Sequence, residues 1–228
     1  MKNMILAAAF LFMSAANAQE VRPLPQINVN GEGKIKVIPD QVFVSLSVES
    51  KGNKADDVKK QNDAAIEKVL QAIKKNKIPK EDVVTRRVSL NPQYDYDRKK
   101  YNYVATQTVE ILIKDLNLYG QLMEDVVDAG SNRINNVEFR SSKLADYQSE
   151  ARKAAIRDAR HKAEDYVSVL GQKAGKAINI ADNTQVYNPP MYETMRMAKA
   201  EDAGAPRETL AVGEISIVAN VNVSFLLE

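Results

Sequence analysis

Alternation of apolar and polar positions marks the strands of this chain. Over QVFVSLSVES, Val42, Val44, Leu46 and Val48 fall on one face, and Ser45, Ser47 and Glu49 on the other. That period of two belongs to a strand with one buried and one wet face. The longest run closes the sequence: Ile215, Ile217, Ala219, Val221, Val223, Phe225 and Leu227 oppose Glu214, Ser216, Asn220, Asn222 and Ser224. Two further runs, about Asp82 to Tyr96 and about Tyr103 to Lys114, are joined by the polar stretch Asp97-Arg98-Lys99-Lys100 and predict a hairpin. Val137 and Phe139 predict another strand, and residues 177–187 one more.

Helical spacing takes over between these runs. Ala55, Val58, Ala65, Ile66, Val69, Leu70 and Ile73 predict an amphipathic helix that stops before Pro79. Asn53 is its expected N-cap, with Asp56 and Asp57 in the first turn, where the helix dipole favours anions. Asp115 is expected to cap a shorter helix, with Tyr119, Leu122, Met123, Val126 and Val127 inward and Gly130 at its stop. Ser142 is placed as the cap of the longest helix. Its stripe is Leu144, Tyr147, Ala151, Ala155, Ala159, Tyr166 and Leu170, and it ends at Gly171. The dense alanine suits close packing on a sheet. Gly31-Glu32-Gly33 reads as a break, a bend or bulge at a strand start. It lacks the third glycine, the lysine and the strand-to-helix setting of a phosphate loop. The order of elements predicts an α+β fold of two related βαββ units, with an antiparallel or mixed sheet covered on one face by helices.

The first residues change the picture from fold to compartment. Lys2, the apolar run from Met4 to Met13 and Ala16-Asn17-Ala18 have the order of a secretory signal peptide cleaved after Ala18. The run is too short for a spanning helix of about 20 residues. Residues 1–18 are therefore expected to be a signal peptide and 19–228 one exported domain, not transmembrane and periplasmic. Peripheral association with the outer membrane is left open. The formal charge of +2 falls to +1 when Lys2 leaves, and basic and acidic residues are interleaved, so no basic face points to nucleic acid. With no cysteine, disulfides, thiolate nucleophiles and cysteine–metal sites are excluded.

Four stretches, in order, resemble the SIMPL-domain family of the bacterial periplasmic immunogenic protein type. They are Val29 to Gly33 with Pro39-Asp40; Lys80 to Thr85 followed by Leu90-Asn91-Pro92-Gln93-Tyr94; the alanine-rich helix from Ala151 to Gly171; and the last strand after Val212-Gly213-Glu214-Ile215. The resemblance supplies no catalytic residue. It implies an exported protein that forms homo-oligomers, with a part in oxidative or envelope stress tolerance.

Candidate chemistry is sparse. His161 is the sole histidine, lies roughly 140° from the centre of its helix stripe, and is flanked by Arg160 and Lys162. It reads as a solvated surface residue, and neither a zinc site nor a Ser-His-Asp triad is built around it. No cofactor is expected. Tyr94, Tyr96, Tyr101 and Tyr103 gather at the predicted hairpin turn beside Arg98, Lys99 and Lys100. A single-stranded nucleic-acid platform, plain cross-strand packing and a subunit interface all fit such a cluster. The interface is the preferred functional reading, because tyrosine is enriched there. Met191, Met195 and Met197 lie in the proline-bounded loop from Asn188 to Pro206. Thioethers hold Cu(I) or absorb oxidant, but the polar, proline-bounded composition of the loop favours a plain insert. Asn222-Val223-Ser224 matches a glycosylation sequon but sits in a predicted strand.

The reading that emerges is a non-enzymatic exported protein acting through homo-oligomeric assembly or partner binding. The alternatives are a binding module for a small ligand or envelope component, in a groove between helices and sheet, and a carboxylate-dependent hydrolase.

Overall fold

The computed structural model describes residues 24–184 and 212–228. Strand β1 (Gln26–Val37) leads through Pro39 into β2 (Gln41–Gly52), followed by helix α1 (Ala55–Lys75), β3 (Val83–Asp95), β4 (Lys100–Ile113), α2 (Tyr119–Asp128), β5 (Arg133–Arg140), α3 (Leu144–Val169), β6 (Ala174–Asp182) and β7 (Ile215–Leu227). The fold is α+β. Its strands form two sheets, β3-β4-β2-β5 and β1-β7-β6, and every pairing is antiparallel. The expected βαββ units are β2-α1-β3-β4 and β5-α3-β6-β7. They exchange a strand: β5 leaves its own unit to pair with β2, and the N-terminal β1 takes the place beside β7.

Each sheet buries the face that its alternation marks. Val42, Val44, Leu46 and Val48 of β2, with Val109, Ile111 and Ile113 of β4, pack against Ile66, Val69 and Ile73 of α1 and Leu122 and Val126 of α2. Val221, Val223 and Phe225 of β7 pack against Ala151, Ala155, Ala159 and Ala163 of α3. Ile215 touches both clusters. On α1, the buried Asn62 donates its amide to the carbonyls of Val48 (3.0 Å) and Ala105 (3.4 Å), tying the helix to two neighbouring strands.

Gly31-Glu32-Gly33 is no break. It lies in the middle of β1, in unbroken register with Val221, Asn220 and Ala219. The two glycines are what α3 needs to approach: a Cβ on Gly31 would stand 2.0 Å from the Ala155 carbonyl oxygen, and one on Gly33 2.0 Å from that of Ala151. Alanine on the helix and glycine on the strand are one close contact. Between the glycines, the Glu32 amide donates to Asp158 (2.8 Å), and Lys162 donates to the Asn30 carbonyl (3.1 Å) and to Asp158 (2.6 Å). The helix thus also satisfies backbone groups of β1 that face away from β7.

The expected helix caps shift by a residue or more. The α1 cap is Lys54 rather than Asn53, without a side-chain bond, while Asp56 and Asp57 stand in the first turn as anticipated. Asp115 caps a 3-10 turn, Leu116–Leu118, that runs into α2. Ser142 does not cap α3, whose N-cap is Lys143. Its hydroxyl and amide donate instead to the Asp40 carboxylate, at 2.5 and 2.7 Å. The two passages of chain between the sheets, β1 to β2 and β5 to α3, are joined by that carboxylate.

Those donors set a pH dependence. The Ser142 hydroxyl, more than any other cause, holds the Asp40 carboxyl below its ordinary value of 3.8. A carboxyl depressed in the folded state contributes fully above its unfolded value and loses the contribution as pH falls through the folded one. Stability should therefore decline on acidification below about pH 4, and Asp40→Asn should flatten that decline. Urea midpoints at pH 2 to 6 provide the check; equal slopes for both proteins would refute this role.

Candidate functional site

The β3–β4 hairpin runs past the helices that cover its sheet. From residue 91 to 101 every residue except Asp95 is exposed. Asp95 builds the turn, accepting the amides of Asp97 (3.1 Å) and Arg98 (3.0 Å) and the Asn102 side chain (3.4 Å). Such an aspartate fixes its own backbone two or three residues on. The Arg98 amide chiefly holds its carboxyl below the ordinary range. Lys99 takes a positive φ of 50° to complete the reversal.

That turn brings three of the four tyrosines together. Tyr94 is paired directly with Tyr101 across the hairpin. Its ring meets those of Tyr101 and Tyr96 edge to face, both at 5.1 Å between centroids. Tyr96 is 83% exposed, Tyr101 60% and Tyr94 39%, so the cluster is open to solvent. Tyr103 is half-buried, opposite Pro92 on β3 and Gly52 on β2, and makes no ring contact with the other three among the described residues. On the same strand edge Val88 is 69% exposed.

The other candidates give less. His161 is exposed, 3.7 Å from Asp165. No three His, Cys, Asp or Glu side chains converge among the described residues. The groove anticipated between helix and sheet exists as a shallow trough of about 470 Å³ lined by Asp63, Ile66, Leu70 and Lys74 of α1 and by Gln107 of β4. Within the sequon, Ser224 is buried and Asn222 donates to the Asn30 side chain at 2.8 Å. The signal-peptide residues and Met191, Met195 and Met197 lie outside the described residues.

One feature escaped the sequence reading. The outer face of the four-stranded sheet is polar yet partly closed: Ser45 and Ser47 are buried. Ser47 and Thr108 share a hydroxyl–hydroxyl bond of 2.8 Å, and Asn135 donates to Ser47 at 2.7 Å. The register slips between Thr85 and Arg87 on β3 and opposite Ser45/Leu46 on β5. Arg86 and Asn135 are thus extra residues, each in a β-bulge. Bulges re-aim side chains and recur beside functional sites. The signal available in sequence was adjacent polar residues, Arg86-Arg87 and Asn135-Asn136, where alternation should have continued.

The SIMPL family model, described as "Protein of unknown function (DUF541)", matches residues 27–225. The chain is 30% identical to "Uncharacterized protein YggE" of Escherichia coli K12, over 98% of this chain and 93% of that protein. It is 28% identical to the "26 kDa periplasmic immunogenic protein" of Brucella melitensis, over 97% and 92%. A match running from β1 to β7 covers both sheets and all three helices of the described residues, so this chain belongs to the SIMPL family.

Proposed function

We propose that this chain is an exported, non-enzymatic protein that works by assembling with copies of itself through the tip of the β3–β4 hairpin. The carrying observation is the cluster of Tyr94, Tyr96 and Tyr101, set edge to face against one another yet exposed to solvent. Tyrosine combines large contact area with a polar end, and it is enriched among residues that dominate interfaces. Arg98, Lys99 and Lys100 beside it supply charge for orienting the contact. Among the described residues β3 is the edge strand of its sheet, and open strand edges pair readily with another chain.

The compartment proposed is the periplasm, reached by cleavage after Ala18. A relative named as periplasmic supports that reading, as does the absence, among the described residues, of any helix long and apolar enough to cross a membrane. The part proposed in envelope stress is that of an assembled component.

Light scattering on chain 19–228 tests assembly directly. The expected mass at micromolar concentration is a multiple of the monomer. Replacing Tyr94, Tyr96 and Tyr101 by serine should lower it to one chain without loss of fold, because the three rings touch solvent and each other. A monomeric parent protein, or an unchanged mass in the triple variant, refutes the hairpin as the contact.

A further inference from the structure

The polar face of the four-stranded sheet has the construction of a binding site. One rung of the sheet crosses all four strands there: Arg87 pairs with Thr108, Thr108 with Ser47, and Ser47 with Arg133. Two guanidinium-bearing residues therefore flank two adjacent hydroxyls. Strands lie about 4.8 Å apart, so the arginine backbones stand roughly 14 Å from one another across three spacings. These side chains, with Ser89 and Asn135, line a basin of about 400 Å³. That volume falls within the range of small-molecule sites, roughly 300–1,000 Å³.

The charges of this face are not balanced. Glu110 is taken by Arg86, Nε to Oε2 at 2.6 Å. Glu49 is taken by Arg133 at 2.5 Å and Lys51 at 3.0 Å, and those two cations hold its carboxyl below the ordinary range. The Arg87 side chain has no hydrogen-bond or ion-pair partner among the described residues. The bulge at Arg86 produces this division. It sets two successive arginines toward one face, so that the first neutralises the local acid and the second is left for the basin.

The lining also selects against most ligands. Among the described residues it has no aromatic platform, and between its two arginines the lining is hydroxyl and amide. The Ser47–Thr108 pair and Asn135 are already hydrogen-bonded in a fixed arrangement, so little ordering is required when a polar ligand replaces water. Hydroxyls both donate and accept, which matches a ligand carrying hydroxyls of its own. Arginine presents a planar fork that fits a carboxylate in two-point contact.

We infer that this basin binds a small polyhydroxylated organic carboxylate, its anionic group on Arg87 and its hydroxyls on Ser89, Thr108 and Asn135, while the buried Ser47 holds Thr108 and Asn135 in place. The site lies on the polar face of the sheet, away from the tyrosine tip.

Calorimetric titration of chain 19–228 with gluconate, glucose and inorganic phosphate tests this. Gluconate supplies both the charge and the hydroxyls, and each of the others supplies one. Gluconate should bind at least 10-fold more tightly than either. Arg87→Gln should weaken it 10-fold or more, Arg87→Lys less, and Thr108→Val several-fold. Lys68→Gln, which removes one positive charge from the exposed side of α1, should leave it unchanged. Because Arg87 is exposed, its variants are expected to keep the parent circular dichroism spectrum. Phosphate binding as tightly as gluconate would reduce the basin to a bare anion site and overturn the assignment. Equal affinity for glucose, no binding of gluconate, or undiminished binding by Arg87→Gln would each overturn it too. Repeating the titration on the triple tyrosine variant separates this outcome from the fate of the assembly proposal.

Discussion

Replacing Gly31 and Gly33 together by alanine should destabilise this protein by about 3 kcal/mol or more, at the upper end of the usual cost of overpacking a core. Two added methyl groups are a small volume, but their obstacles are backbone. Each new Cβ would lie 2.0 Å from a carbonyl oxygen of α3, and the one on Gly31 also 2.8 Å from the Ala159 methyl. A flexible side chain could swing aside. A helix carbonyl moves only with its helix. Displacing α3 from β1 would open the alanine seam with β7 and stretch the Glu32 amide from Asp158. Gly120→Ala is the matched control. It lies in α2, where an added Cβ meets nothing within 4 Å, and alanine is favoured over glycine in helices by up to about 1 kcal/mol. Urea unfolding of the three proteins decides the matter. The double variant should lose midpoint while Gly120→Ala keeps or gains it. A double variant with the parent midpoint would mean that α3 does not sit as close to β1 as described.

The glycine pair also shows where sequence reasoning stopped. Strands β2, β4 and β7 were legible because Val, Ile and Leu alternate with polar residues, and only burial on one face produces that pattern. β1 has the same pattern, with Ile27, Val29, Gly31, Gly33, Ile35 and Val37 on its inner side. Glycine scores as a breaker, however, so the alternation was lost at the point of closest packing. The alanine stripe of α3 predicted a close neighbour without saying which strand supplied it. The strand exchange between the two units was not legible at all. Whether β5 pairs with β2 or β7 depends on contacts far apart in the chain, and its apolar residues Val137 and Phe139 would suit either sheet.

The candidate surface divided in the same way. The tyrosines were found because four aromatics around a polar turn are conspicuous in composition. Their grouping into three and one required the register, which sets Tyr94 opposite Tyr101 and leaves Tyr103 beside Pro92. The polar basin depends on two bulges. A bulge inserts one residue and so erases the period of two that strand recognition relies on. The positions that make Arg87 available are those that look least like a strand.

Leu46→Ala should cost about 2–5 kcal/mol, the range for emptying a fully buried leucine site, and the loss should be felt equally in both sheets. Leu46 is wholly buried on β2, the strand that lies between β4 and β5. Its neighbours come from two sheet partners and from α1, so the cavity has little freedom to collapse. The two cores are distinct clusters, yet three features join them. Ile215 packs into both. The chain passes between the sheets at β1 to β2 and again at β5 to α3, and Asp40 binds Ser142 across those passages. Strand exchange adds that neither βαββ unit owns a complete sheet: removing one unit would strip β5 from β2 or leave β1 without β7. A structure wired this way should unfold as one unit, because loosening the four-stranded sheet releases the strand connections that hold the other. Hydrogen exchange measures this strand by strand. In Leu46→Ala, the most protected amides of β7 should lose as much opening free energy as those of β4. If β7 keeps its parent protection while β4 loses several kcal/mol, the sheets are separate folding units, and the exchange of strands does not couple them.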